Sequence, residues 1–158
     1  MTVIVWTASL CRPDPGYGGW CFVRRNQSQP GPEGIKGAAG GERRTSAARM
    51  SLTALTEALA SLAGLPADTA VTLYFEDPAL ASELVAADGA YATAEPEVWA
   101  AARAAVAARP VLNLAPLPAN APAAGFLAAW ADFGLETSKT RGSFKAAIPK
   151  PNLLKFPS

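Results

Sequence analysis

Thirteen carboxylates, fourteen cations and no histidine set the chemistry open to this chain. Without imidazole, serine–histidine and cysteine–histidine nucleophiles are excluded. So are the commonest general base and the commonest zinc ligand. Cys11 and Cys21 lie across a turn-forming stretch, and the expectation is two buried, reduced thiols rather than a lone bridge or a metal pair. Glu76 closes an apolar run, as a solvated strand end or as a lone ligand for a hard cation, which a single carboxylate holds poorly. Arg43, Arg44 and Arg49 flank a helix start, where basic side chains either grip phosphates or form a solvated face. Lys139, Arg141, Lys145, Lys150 and Lys155 follow the last acid, Glu136, and are interspersed with Phe144, Ile148, Leu153, Leu154 and Phe156. Such a segment suits docking onto a protein partner, loose phosphate binding, or packing back over its own domain. Trp6, Trp20, Trp99 and Trp130 all sit in apolar runs and are expected in the core.

The elements that must position these residues follow from the pattern. Length implies one domain, and half the residues are apolar, enough for a core. A net charge of +1 excludes both an acidic solvating segment and a bulk polyanion binder. No apolar run approaches the roughly 20 residues of a membrane span. "MTVIVW" is short and lacks the basic start of a secretory signal, so the expected location is the cytoplasm. Val3 to Trp6 predict a strand buried on both faces; "CRPDPGYGG" is a turn, and "GWCFVRRN" a second strand. A Gly- and Pro-rich loop follows, with a weak third strand between Ile35 and Arg44. Thr45 or Ser46 caps a helix carrying Met50, Leu52, Leu55, Leu59 and Leu62, which Gly64-Leu65-Pro66 ends. Thr69 to Glu76 is a strand and "PALASELVAA" a helix; "DGAYATAE" is a connection. "PEVWAAARAAVAA", "PVLNLAPLP" and "APAAGFLAAWADFG" give helix, strand and helix. The order predicts an α/β domain over residues 1–136: a mixed five-stranded sheet, its first three strands antiparallel, flanked by helices. Residues 137–158 are expected as a basic, proline-containing C-terminal tail.

Three landmarks in this order resemble type 1 ribonuclease H and the wider ribonuclease-H-like fold. "WTAS" followed by "PGYGGW" resembles the family's T-D-G-S strand end and glycine-rich hairpin. "TSAARMSLTAL" is similar to its N-N-R-M-E-L at the start of the central helix, with Arg49, Met50 and Leu52 in matching places. "LYFEDPAL" is similar to the strand end that bears the family's third acid, and the resemblance spans Val3 to Gly134. It implies hydrolysis of the RNA strand of an RNA–DNA hybrid by two magnesium ions about 4 Å apart. Ions so close repel unless several anionic oxygens lie around them.

Carried over position by position, the family's four acids fall at Thr7, Ser51, Glu76 and Gly125, so one carboxylate remains. Its mobile-loop histidine has no counterpart, and its two base-contacting asparagines fall at Ala47 and Ala48. Glu57 lies about 9 Å along the helix from Ser51, and Asp132 about 10 Å beyond Gly125. Asp77 and Glu76 face opposite ways along a strand; Asp14 sits in a turn from which it could swing in, but one loop acid beside one carboxylate is not a two-metal site. The expectation is a non-catalytic ribonuclease-H-like domain without cofactor. It binds nucleic acid (an RNA–DNA hybrid or duplex) through Arg43, Arg44, Arg49, Lys139, Arg141 and Lys145, or a protein through its tail. The alternative is a divergent ribonuclease H that cleaves hybrids with magnesium, in which Glu76 is a metal ligand.

Overall fold

The computed structural model describes residues 2–157. Six strands form one sheet: β1 (Thr2–Arg12), β2 (Gly16–Asn26), β3 (Ile35–Thr45), β4 (Ala70–Phe75), β5 (Leu112–Pro116) and β6 (Phe144–Ala147), in the order β5-β4-β1-β2-β3-β6. The first three form the expected antiparallel meander, and β4 and β5 join β1 in parallel. The helices are α1 (Ala47–Ala60), α2 (Leu80–Val85), α3 (Ala90–Ala94), α4 (Pro96–Ala107), α5 (Pro122–Arg141) and α6 (Lys150–Leu153). The short helix α3 occupies the stretch expected as a plain connection.

The sheet divides the core in two. On one face Val3, Val5, Leu73 and Phe75 meet Met50, Leu52, Leu55 and Leu59 of α1. Ser46 caps α1 by accepting a hydrogen bond from the Arg49 amide at 3.1 Å. The far end of that helix is closed by Arg109, which is buried and donates to the carbonyls of Leu62 and Pro66. On the other face Trp6, Cys21, Val23 and Ile35 meet Leu127 and Ala131 of α5.

That second contact explains β3, whose "KGAAGG" lacks the β-branched and aromatic residues of an ordinary strand. Helix α5 rests on the sheet at backbone distance. A Cβ on Gly41 or Gly134 would lie within 3.0 Å of a backbone carbonyl on the opposing element, and so would one on Gly19. Glycine is required where backbones approach this closely.

The sixth strand is a departure from the expected five. The boundary expected at residue 136 falls inside α5, and Lys139 and Arg141 are helical. Beyond them β6 pairs antiparallel with β3, and Ile148, Leu153 and Phe156 enter the second core. Three of the five large apolar residues of the expected tail are therefore covered by their own domain, and Leu154 is 62% exposed. Trp6 and Trp20 are core residues as expected, whereas Trp99 and Trp130 are only partly buried.

Candidate nucleic-acid interface

The middle of β1, the end of β4 and the first turns of α1 bring Thr7, Ser51 and Glu76 to one crevice. Gly125, in the first turn of α5, does not line it, and a Cβ there would meet nothing within 4 Å. In the parallel ladder Trp6 stands opposite Tyr74, so the β1 position level with Glu76 is Ala8, not Thr7. Alternation puts Thr7 and Ser9 on the α1 face, and Ala8 and Glu76 on the α5 face.

The hydroxyls in the crevice are spent on structure. Thr7 Oγ1, at 3% exposure, donates to the Tyr74 carbonyl at 3.2 Å. Ser9 and Ser51 share a hydrogen bond of 3.2 Å that ties β1 to α1. Asp77 accepts from the Ala79 amide and from the Tyr91 hydroxyl. Glu76 is exposed, yet nearby protein desolvates it enough to push its carboxyl above the ordinary range.

The sign of that shift yields a test. The folded chain holds the Glu76 proton more tightly than the unfolded chain, so this group's contribution becomes unfavourable as pH rises past the unfolded value. Glu76→Gln is expected to give a small gain in Tm at pH 7, small because solvent screens an exposed group. The gain should vanish below the ordinary glutamate range, as thermal melts across pH will report.

The other acids that stood near the site are engaged elsewhere. Asp14 Oδ1 accepts from the Ala47 amide at 3.0 Å, an anion at a helix N-terminus. Glu57 pairs with Lys145 at 2.9 Å, and Asp132 with Arg12 at 2.5 Å. Among the described residues, no three His, Cys, Asp or Glu side chains gather as a metal-holding group. The crevice has a free volume of about 10 Å³, room for one water at most. Magnesium sheds its waters reluctantly and needs anionic oxygens, so these residues do not fit a pair of such ions.

The cations separate into two groups. Arg49 Nε donates to Glu42 at 3.0 Å, so Arg49 and Lys145, like Lys139 with Glu136, are answered by carboxylates. Arg43 and Arg44 are exposed, and with Tyr17 and Ser143 they line a cleft of about 540 Å³. A second opening of about 420 Å³, between Pro15, Ser46 and Glu95, shares the same two arginines. Arg43 Nη2 donates to the Lys139 carbonyl at 3.1 Å, which brings the end of α5 to the cleft. The Lys139 ammonium lies 5.7 Å from the Tyr17 ring centre, and the Arg141 guanidinium stacks 5.2 Å from Phe144. Tyr17, Ser143 and Ala8 were not singled out from the sequence. Tyr17 and Ser143 reach the cleft through sheet pairing and the end of α5, and no local pattern marks them.

No protein-family model matches the sequence, and none of the curated proteins does. Solved structures do match in shape. The N-terminal RNase H domain of a Mycobacterium tuberculosis protein superposes with a TM-score of 0.71 at 12% identity, over 87% of this chain and 96% of that one. RNase H1 from the archaeon Halobacterium salinarum gives 0.65 at 19% identity, over 87% and 99%. LC11-RNase H1, isolated from compost by a metagenomic approach, gives 0.71 at 15% identity, over 87% and 99%, in a complex with an RNA/DNA hybrid. At these identities the likeness is one of fold.

Proposed function

We propose that this ribonuclease-H-like fold holds nucleic acid without cutting it. The observation that carries the reading is the crevice between the middle of β1 and the end of β4. There one exposed carboxylate stands among hydroxyls already bonded to the protein, with space for about one water. Two divalent ions need a cluster of anions, and this crevice offers none beyond Glu76 and a tethered Asp77. The cleft of the exposed Arg43 and Arg44, with the end of α5 beside it, offers two guanidinium groups of the kind that take phosphates. That LC11-RNase H1 is solved with an RNA/DNA hybrid makes the hybrid the first ligand to try. Two free cysteines, one of them fully buried, accord with a reducing compartment, and we assign the chain to the cytoplasm.

The test has two arms. Incubated with an RNA–DNA hybrid and magnesium or manganese, the protein is expected to leave it uncut. Cleavage that disappears in Glu76→Ala would establish the divergent hydrolase instead. In the binding arm, hybrid is retained at low salt, and affinity falls about 100-fold between about 50 and 200 mM salt if some four phosphates are contacted. Exchanging Arg43 and Arg44 for alanine should flatten that slope by about two units. No retention at low salt leaves a protein partner as the reading.

A further inference from the structure

Helix α5 carries aromatic residues on the side away from the sheet as well as leucines toward it. Its inner face combines Leu127 and Leu135 with the small Ala123, Ala131, Gly134 and Ser138, which let the helix lie against backbone. Its outer face carries Phe126, Trp130 and Phe133, spaced to form one stripe. Phe133 is 45% exposed, and Phe126 and Trp130 are partly exposed. The rings touch in series and the series runs past the helix. Phe126 meets Phe156 at 5.1 Å, Trp130 at 6.4 Å links Phe126 to Phe133 at 5.1 Å, and Phe144 follows at 6.2 Å. Phe126, Trp130 and Phe156 also pack against the second core, so the exposed surface of the series centres on Phe133 and the outer faces of Phe126 and Trp130.

Charge decides what such a stripe suits. At one end Arg141 stacks on Phe144; at the other, exposed Lys155 precedes Phe156. The two carboxylates along the helix beside it are each answered, Asp132 by Arg12 and Glu136 by Lys139 at 3.2 Å. We propose that this aromatic stripe is a stacking platform for single-stranded nucleic acid, with Arg141 and Lys155 taking phosphates. Every base has a π-face, and rings interleaved with cations bind single strands with little regard to sequence. The stripe goes beyond the duplex reading, since paired bases present no face to stack.

The probe is a labelled oligothymidylate at about 50 mM salt, where phosphate contacts are strong. The intact chain is expected to bind it and to lose tryptophan emission. Phe133→Ala and Trp130→Ala each weaken binding about tenfold, and Phe133→Tyr keeps it. Phe133 is exposed enough that its alanine variant folds, as circular dichroism will check. Phe133→Ala should leave hybrid retention intact, while the Arg43 and Arg44 variants do the reverse, so either reading can fail alone. Three results overturn the proposal: no binding by the intact chain, unchanged affinity in folded Phe133→Ala, or a dimer that Phe133→Ala dissolves, which would make the stripe a self-association surface.

Discussion

Gly134→Ala is expected to lower the unfolding free energy by about 3 kcal/mol and the Tm by about 6–12 °C. Helix propensity argues the opposite, since alanine inside a helix is worth about 1 kcal/mol over glycine. The sign is decided by what the methyl meets. At Gly134 it would overlap the carbonyl of Gly40, a backbone atom held in the sheet that cannot rotate aside. Helix α5 must lift, and the packing of Leu127, Ala131 and Leu135 goes with it. Gly125→Ala on the same helix is the control. Nothing lies within 4 Å of its Cβ position, so stability should rise by up to about 1 kcal/mol. Urea melts of the two variants should move in opposite directions. A Gly134→Ala chain as stable as the wild type would mean that α5 does not rest on the strands.

Phe156→Ala is expected to cost about 3 kcal/mol, at the lower end for Phe→Ala because the chain end can partly close the gap. The ring is 6% exposed, meets Trp6 edge-on at 4.8 Å and Phe126 at 5.1 Å, and covers a cluster that includes Cys21 and Val23. Leu154→Ala, two residues earlier and largely exposed, should change stability by less than about 0.5 kcal/mol. A C-terminal segment that served only to dock a partner would leave the free chain indifferent to both substitutions. Denaturant titration of the two variants distinguishes the cases.

What the sequence disclosed depended on how local each cause was. Helix α1 was legible because Ser46 and the Met50–Leu62 periodicity are contained in one stretch. Strand β4 was legible from "TAVTLYF" for the same reason. Strand β3 was faint because its glycines answer to α5, some ninety residues away. Strand β6 was missed: four residues carry no period, and its strand geometry comes from β3. At the crevice, "WTAS" and "LYFE" bring Thr7 and Glu76 to one place, but the face each side chain takes is set by strand pairing. One step of slip moves a side chain to the opposite face of the sheet, and the ladder puts Ala8, not Thr7, beside Glu76. The carboxylates Asp14, Glu57 and Asp132 were visible in the sequence as the acids nearest the site, but not their partners. That each has a partner elsewhere depended on contacts such as Lys145 with Glu57, which span 88 positions.

The outermost strands have a consequence for behaviour at high concentration. A sheet whose last strand leaves a long, flat row of free amides invites another chain to zip onto it. Here the terminal strands are five and four residues long. The first ends in Pro116, which has no amide hydrogen to give, and the second carries Lys145. Neither offers a template long enough for fibril growth, so an apolar-rich chain is guarded at both sheet edges.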